Sequence, residues 1–213
     1  SGDIHFGVKS TDTELPLQFS AETNLMLYER QYDLGISDNQ ENIIRTKAQV
    51  AGSISEEQII GIAFAMDNVF YKNNDFENYT SLNLNPHYRL ENDDWKIRLG
   101  AQVDMAFGFG KKFRAAPDVS VEYNFSDSYI LYAQAKGGKL QNDFRRLETF
   151  CPYGQITPQL DATYEQLNTA IGFKASPAAG LWLNLYGGYQ NLKDDLFFQP
   201  TILTPVSYTH LRA

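Results

Sequence analysis

Apolar and polar side chains alternate with a period of two residues along most of this chain. In segment 95–109 every odd position is apolar, whereas the even positions hold polar or small residues: Lys96, Arg98, Gly100, Gln102, Asp104, Ala106 and Gly108. Successive side chains of a β-strand point to opposite faces of the sheet, so a strand separates these two sets. A helix would spread the charges around its whole circumference. The alternation therefore predicts a strand with one apolar and one polar face.

The same alternation recurs often enough to set the fold class. No segment shows a convincing helical period, and only Asp143 to Leu147 is compatible with a helical turn. We therefore predict an all-β protein, an antiparallel up-and-down meander of about nine to ten strands. The nine segments that show the pattern are 17–33, 42–54, 58–72, 79–91, 95–109, 113–125, 128–138, 164–175 and 180–192.

The connections between these segments differ in length. Short polar turns occur at 55–57, 92–94, 126–127 and 176–179, and most of the connections between them are longer. Segment 139–163 is much the longest, and connections of that length without secondary structure are usually functional in compact domains. Short turns opposite long loops are typical of bacterial outer-membrane barrels.

Strand length favours a membrane barrel over a soluble sandwich or calyx. A strand of about 15 residues rises about 3.3 Å per residue and, tilted by about 45°, spans roughly 35 Å of membrane. Strands of ordinary globular proteins have about five or six residues. In a barrel the apolar row would face lipid, and on the strand 95–109 we assign to it Ile97, Leu99, Val103, Met105 and Phe107.

Aromatic and charged residues support the same assignment. Trp95, Phe125, Tyr129 and Trp182 lie beside the tight turns, where an interfacial aromatic girdle is expected, although hairpins of soluble proteins also place aromatics there. Charged and amide side chains on the opposite row would be costly in a dry core. They would line water in a barrel, or face bulk solvent as the exterior of a sandwich.

Composition excludes several function classes. The net charge is −8 and the sequence pI is about 4.9, which argues against a nucleic-acid partner. Cys151 is the single cysteine, so no disulfide can form within the chain, and no partner residues mark it as a nucleophile. The three histidines lack metal-ligand spacing, and no Gly-x-Ser-x-Gly motif occurs. The sequence predicts no enzyme, cofactor or metal site.

Segment 81–153 carries a family resemblance. Leu-Asn-Pro-His-Tyr-Arg-Leu, Trp-Lys-Ile-Arg-Leu-Gly-Ala, Ala-Pro-Asp-Val-Ser-Val-Glu-Tyr and Tyr-Ile-Leu-Tyr-Ala-Gln-Ala-Lys-Gly-Gly follow one another there. These runs resemble barrel strands of TonB-dependent receptors, and the likeness in style extends over most of 17–198. It implies a location in the outer membrane of Gram-negative bacteria. It also implies uptake of a bulky nutrient, with membrane lipid, a periplasmic energy-coupling protein and a surface lipoprotein as partners.

Parts of that family's pattern are not seen in this sequence. A plug domain, a coupling box and a closing strand with a terminal aromatic are missing, and a complete barrel of this kind has about 22 strands. We therefore interpret the chain as a fragment, with strands in 17–198 and a disordered or partial segment in 1–16. The run from Pro205 to Ala213 resembles translated sequencing-adaptor read-through, so we expect 199–213 to be an unstructured, artefactual tail.

The function predicted first is transport through an outer-membrane barrel. Lumen or substrate contacts are assigned to Lys96, Arg98, Gln102 and Asp104 on the strand, and to Arg145, Arg146 and Tyr153 in the long loop. A packed loop that only shields the barrel mouth is an equally good explanation of the last three. Two other functions stay open: a non-transporting surface or assembly protein with a filled lumen, and a soluble sandwich or calyx that binds carbohydrate or lipid.

Overall fold

The computed structural model describes residues 2–11, 16–30, 39–72, 76–150, 159–178, 180–199 and 209–212. Ten strands form one antiparallel sheet in which each strand pairs with the next along the chain. The predicted up-and-down meander is thus confirmed. The strands are β1 (Gly2–Lys9), β2 (Leu17–Arg30), β3 (Asn39–Ser53), β4 (Gln58–Tyr71), β5 (Tyr79–Glu91), β6 (Trp95–Phe107), β7 (Phe113–Ser126), β8 (Tyr129–Leu140), β9 (Thr163–Ala178) and β10 (Leu181–Lys193).

Three further elements complete the described residues. Helix α1 (Phe144–Phe150) lies in the long connection, at the site of the predicted helical turn. Two short strands, β11 (Leu196–Gln199) and β12 (Thr209–Arg212), pair antiparallel, although the sequence predicts no structure in 199–213. Segment 1–16, expected to be disordered or partial, contains β1. Among the described residues, no helix is long and apolar enough to cross a membrane.

The sheet has two distinct ends. One, which we call the turn end, carries connections 10–16, 54–57, 92–94, 127–128 and 179–180, of which only 10–16 is longer than four residues. The other, the loop end, carries the longer connections 31–38, 72–78, 108–112 and 141–162. Residues 31–38 and 151–158 lie outside the described residues, and so does the predicted continuation of β2 to residue 33.

Strand pairing keeps the two rows of β6 on separate faces of the sheet. Leu99 pairs with Tyr88 of β5 and Val119 of β7, whereas Asp104 pairs with Asn83 and Arg114. A slip by one residue would exchange the faces, so this register makes the apolar and polar rows continuous across neighbouring strands. We call the side that carries Leu99 the apolar face and the side that carries Asp104 the polar face.

A proline in β5 is accommodated by its neighbour. Pro86 has no N–H to donate to a paired strand, and the ladder between β5 and β6 is interrupted from Leu84 to His87. The Asn85 Nδ2 donates a 3.0 Å hydrogen bond to the carbonyl of Ala101 there. A side-chain amide thus satisfies a backbone acceptor in the middle of the sheet, which is what burial of that carbonyl requires.

A register shift divides the pairing of β8 and β9 into two parts near the loop end. It lies between the pairs of Lys136 and Gly138, and Gly138 has φ +145°. Beyond it Lys139 reaches back to the polar face, where its Nζ donates to Ser81 Oγ and lies 5.8 Å from the Tyr79 ring centroid. The irregularity therefore brings a lysine into the polar face from a connection predicted as loop.

Gly137 sits inside this shift and has no space for a side chain. A Cβ there would lie 2.5 Å from the Glu165 carbonyl oxygen and 2.7 Å from Ala116 Cβ. We expect Gly137→Ala to lower the free energy of unfolding by about 1–3 kcal/mol, because backbone has to move. Urea unfolding in detergent micelles measures this. Gly187→Ala in β10 is the matched control, because no heavy atom lies within 4 Å of its Cβ position; an equal loss in both would contradict the account.

The densest packing of the described residues lies at the loop end and not between two sheets. Tyr28, Phe76, Phe144 and Leu147 form a buried cluster. The Phe144 ring contacts those of Tyr28 and Phe76 edge-on, with centroids 5.8 Å apart in each pair. Because α1 supplies Phe144 and Leu147, this cluster fixes the long connection to the ends of the strands.

Candidate functional site

The predicted contact residues divide between two cavities on the polar face. Gln102, Asp104 and Arg146 line a cavity of about 560 Å³ near the loop end, which we call the loop-end cavity. Lys96 and Arg98 line another of about 520 Å³ near the turns, the turn-end cavity. Residues that one strand presents as a single row therefore belong to two sites.

Hydrogen bonds organise the strand side of the loop-end cavity. Asn83 Nδ2 donates to both Gln102 Oε1 (3.0 Å) and Asp104 Oδ1 (2.9 Å), so both predicted residues are held by one amide. Arg45 binds Asp67 through two nitrogens, at 2.6 and 3.2 Å. A bidentate pair of this kind has fixed geometry. The cavity wall is thus polar, of mixed charge and preorganised.

The long connection forms the other side of this cavity. Gln141 accepts a 3.1 Å hydrogen bond from Arg45 and donates one of 3.1 Å to the Tyr79 hydroxyl. The backbone N–H of Phe144 donates to Glu41 Oε1 at 3.1 Å. The loop between β8 and α1 is therefore bound to strands β3 and β5 by side-chain hydrogen bonds, and it narrows the polar face from the loop end.

The two loop arginines have different positions. Arg146 lines the loop-end cavity. Arg145 instead pairs with Asp3 of β1, with Nη2 2.9 Å from Oδ1, and so connects α1 to the first strand. Tyr153 and Cys151 lie outside the described residues. Arg145 thus makes a packing contact of the loop and Arg146 lines a cavity, and the substrate role of both stays a prediction.

Arg114 is a central residue that is not among the contact residues predicted from the sequence. Its side chain is 7% exposed, and Nη2 lies 2.9 Å from Asp161 Oδ2 and 3.0 Å from Asp194 Oδ2. Nη1 donates to the Ala162 carbonyl at 2.9 Å, and the guanidinium lies 5.0 Å from the Tyr164 ring centroid. One buried cation thus ties β7 to the end of the long loop and to the end of β10.

The turn-end cavity is more strongly basic. Arg98 Nε donates to Asp118 Oδ2 at 2.8 Å, and its Nη2 donates to Asn85 Oδ1 at 2.7 Å. Lys96 pairs with Glu91 at 3.3 Å. Five basic and two acidic side chains line the cavity: Arg89, Lys96, Arg98, Lys136, Lys174, Glu91 and Glu122.

The opposite side of the sheet is apolar and open. Leu99 is 48% and Phe107 58% exposed, and Ile97, Val103 and Met105 of the same row are partly exposed. Soluble monomers rarely expose contiguous apolar patches larger than a few hundred Å². The exposed row continues across the sheet, through Ile44, Val50, Ile60, Ile62, Phe113, Leu131, Ile171, Leu183 and Leu185.

Aromatic side chains stack on this face beside the turns. Trp95 lies over Tyr123 with ring centroids 4.4 Å apart, and Phe125 lies over Tyr129 at 5.6 Å. Phe173 joins Phe125 and Tyr129 at centroid distances of 6.1 and 5.9 Å. Trp182 stands apart in β10, next to a register shift and 76% exposed. Three of the four predicted interfacial aromatics therefore share one row.

No group of three or more His, Cys, Asp or Glu side chains that could hold a metal ion occurs within the part of the chain that the structure describes. His5 forms a hydrogen bond with Asn24 across the β1–β2 pair, and His87 forms one with the Asn85 carbonyl. The described side chains of the polar face form ion pairs and amide hydrogen bonds.

Comparison with solved structures shows which known fold this sheet resembles. The FrpB iron transporter from Neisseria meningitidis (F3-3 variant) superposes with a TM-score of 0.64 at 13% identity, over 99% of this chain and 38% of that one. FpvA of P. aeruginosa, in a complex with a heterologous pyoverdine, gives 0.56 at 11% identity, over 98% of this chain and 36% of that one. The ten-stranded meander has the fold of part of a TonB-dependent outer-membrane receptor barrel.

That fold resolves one alternative left by the sequence. The chain spans less than two fifths of the length of these neighbours, and its strands correspond to part of a barrel wall rather than to a soluble sandwich or calyx. One of these neighbours is named an iron transporter, and the other is described in complex with a pyoverdine. No protein-family model matches the chain, and no curated protein sequence matches it.

Proposed function

We propose that this chain forms ten strands of the wall of an outer-membrane transport barrel in a Gram-negative bacterium. The observation that most supports this proposal is the open apolar face of the sheet. The opposite side of the same sheet is polar, and the long loop covers part of it. Lipid is the solvent that stabilises such an apolar face, and water in a lumen hydrates the ion pairs opposite. Ile97, Leu99, Val103, Met105 and Phe107 then face lipid, and Trp95, Phe125 and Tyr129 lie at the membrane interface.

The polar face supplies the contacts that select the substrate. Lumen charge and loop contacts determine what passes a membrane pore, and charged and amide side chains line both cavities. Gln102, Asp104 and Arg146 act at the loop end, and Lys96 and Arg98 act near the turns. Long loops are extracellular and short turns periplasmic in barrels of this class, so a nutrient meets the loop-end cavity first.

Other parts of a larger barrel would complete the transport system. Outer-membrane transporters of this kind have about 22 strands, so ten strands form somewhat under half of the wall. A periplasmic energy-coupling protein would drive uptake, and a surface lipoprotein would act at the outer rim. Both would bind through parts of the protein outside this chain.

Cell fractionation and uptake test the proposal in the protein that carries this chain. The expected result is a heat-modifiable band in the outer-membrane fraction that carbonate does not extract. Radiolabelled ferric iron supplied with citrate is the first probe, since one structural neighbour is named an iron transporter. Accumulation that an uncoupler abolishes would support energised uptake. Extraction by carbonate would contradict the membrane assignment, and outer-membrane protein without uptake of any tested nutrient would favour the non-transporting alternative.

A further inference from the structure

The long loop between β8 and β9 crosses the loop end of the sheet instead of staying beside its own strands. Its residues 141–150, which we call the strap, contact β3 through Gln141 and β2 through Phe144. Arg145 Nη2 lies 2.9 Å from Asp3 Oδ1 of β1, although six strands separate β1 from β8 in the sheet. The strap also forms part of the wall of the loop-end cavity. Its position therefore determines how open that cavity is.

Glu41 of β3 lies beneath the strap and is 1% exposed. Its Oε1 accepts the 3.1 Å hydrogen bond from the backbone N–H of Phe144, whereas its Oε2 has no hydrogen-bond partner among the described residues. An ionised carboxylate is costly to bury without such partners, and a group buried in this way takes up a proton instead. A neutral carboxyl still accepts a hydrogen bond at Oε1, so the contact with the strap survives protonation.

The side chains around Glu41 supply little positive charge. Three tyrosines lie next to it on neighbouring strands: Tyr28, Tyr71 and Tyr79. From the strap, Asp143 adds a second negative charge, and a like charge disfavours ionisation of a nearby carboxyl. Arg145 acts in the opposite direction, but its guanidinium is partly exposed and paired with Asp3. The balance of these charges favours a protonated Glu41 beneath the docked strap.

Glu41 lies outside the part of β3 that crosses the lipid in the proposed orientation. A transmembrane strand needs about 9–11 residues, and the stretch from Ile44 to Ile54 at the turn end already has that length. Glu41 lies beyond Ile44 on the loop-end side, and the long loops of such barrels are extracellular. There burial raises the pKa of its carboxyl to about 7, with a smaller contribution from the charge of Asp143.

The pH dependence of docking follows from the two environments of this carboxyl. With the strap released, Glu41 meets water and ionises near the ordinary pKa of a glutamate, about 4.3. With the strap docked, it ionises only near pH 7. Docking is therefore most stable below about pH 4.3 and loses stability as the pH rises to about 7, by up to about tenfold in its equilibrium constant per pH unit.

We propose that the strap is a pH-dependent cover of the loop-end cavity, docked while Glu41 is protonated and released once it ionises. Release removes Gln141 and Arg146 from the cavity wall, so the cavity widens toward the extracellular side. The pairing of β3 with β2 and β4 does not involve the strap, so the sheet persists in both states. This inference goes beyond the transport proposal, because the strap docks on the strands of this chain whether or not a nutrient passes.

A spin label on the strap tests this inference in the detergent-purified protein that carries this chain. Thr149→Cys, in a Cys151→Ser background, puts the label at an exposed position of α1. We expect an immobilised spectrum at about pH 5 and a growing mobile component toward about pH 8, with the ratio of docked to released strap falling at least about tenfold. Glu41→Gln cannot ionise, so its label should stay immobilised over the whole range.

Two further substitutions separate Glu41 from other titrating groups. Glu77→Gln is the matched control, because Glu77 is exposed in the neighbouring connection 72–78 and its replacement should leave the full pH response. Asp143→Asn keeps a side chain that can accept the 2.8 Å hydrogen bond from the Arg146 N–H. It removes the negative charge beside Glu41, so the pH response should become smaller.

A spectrum that is the same at both pH values in the labelled parent protein would overturn the proposal. A pH response that persists in Glu41→Gln would overturn it as well. Heat-modifiable migration reports whether each variant folds, and if Glu41→Gln does not, an undiminished response in Asp143→Asn contradicts the role of Glu41. Because the spectra need no uptake, this proposal and the transport function fail separately.

Discussion

Arg114→Leu should destabilise the protein by about 3–5 kcal/mol, the cost of breaking a buried ion pair by removing one partner. The guanidinium is buried and binds Asp161, Asp194 and the Ala162 carbonyl. Leucine fills much of the volume but leaves both carboxylates without this cation. The urea midpoint of the folded band in detergent measures the loss, and proteolysis should become faster in 141–162, the connection that Arg114 holds.

Compensating substitutions separate charge from packing at this position. Adding Asp161→Asn and Asp194→Asn to Arg114→Leu should recover more than half of the loss, because no charge then stays uncompensated. Arg114→Lys keeps the charge but lacks the planar fork that reaches both aspartates and the Ala162 carbonyl, so an intermediate loss is expected. A loss below about 1 kcal/mol for Arg114→Leu, the value of an exposed pair, would show that Arg114 does not hold these elements together.

Phe144→Ala should release the long loop from the polar face without unfolding the sheet. Phe144 is 3% exposed and lies in the cluster with Tyr28, Phe76 and Leu147. Truncating a buried phenylalanine costs about 3–5 kcal/mol. This loss weakens the packing of α1 on the strand ends, since the strands pair with one another without contacts from α1. Hydrogen exchange in 141–150 should rise by orders of magnitude, while exchange in β5 to β7 stays unchanged.

The same variant reports on passage through the barrel. With the loop released, the loop end of the polar face widens, and cells should become more sensitive to vancomycin, a bulky antibiotic that the outer membrane excludes. Thr149→Ala is the matched control on α1, because Thr149 is exposed and its hydroxyl only donates to the Arg145 carbonyl. Equal exchange in Phe144→Ala and Thr149→Ala would contradict the role of Phe144.

Alternation predicted the strands well because it reports directly on their environment. In a sheet with one apolar and one polar face, successive side chains point to opposite faces and so lie in different environments. The observed β4 and β5 therefore begin at the predicted residues and end within one residue of the predicted ends. The first strand also alternates: Ile4, Phe6 and Val8 oppose His5, Gly7 and Lys9. It was not predicted because its polar start and small residues weakened the signal over only eight residues.

The candidate site was harder to predict because it depends on register and irregularities. The alternation in β6 predicted Gln102 and Asp104 directly. Arg45 and Lys139 line the same cavity but lie in strands that are distant along the chain. Lys139 reaches the polar face only because of the register shift at Gly138, and a shift of this kind leaves no clear mark in the sequence. Arg114 occupies an ordinary polar position of β7, and only the fold brings two aspartates to it.

Adjacent residues of β6 provide the sharpest test of the central claim that the polar face meets water and the apolar face meets lipid. Gln102→Cys and Val103→Cys, each in a Cys151→Ser background, differ by one residue and therefore in the face they occupy. In intact outer membranes, a water-soluble maleimide should label Gln102→Cys, whereas Val103→Cys should stay unlabelled until detergent is added. A spin label on Val103→Cys should be relaxed by lipid-soluble oxygen. Labelling of Val103→Cys with protection of Gln102→Cys would show that the two faces are assigned the wrong way round.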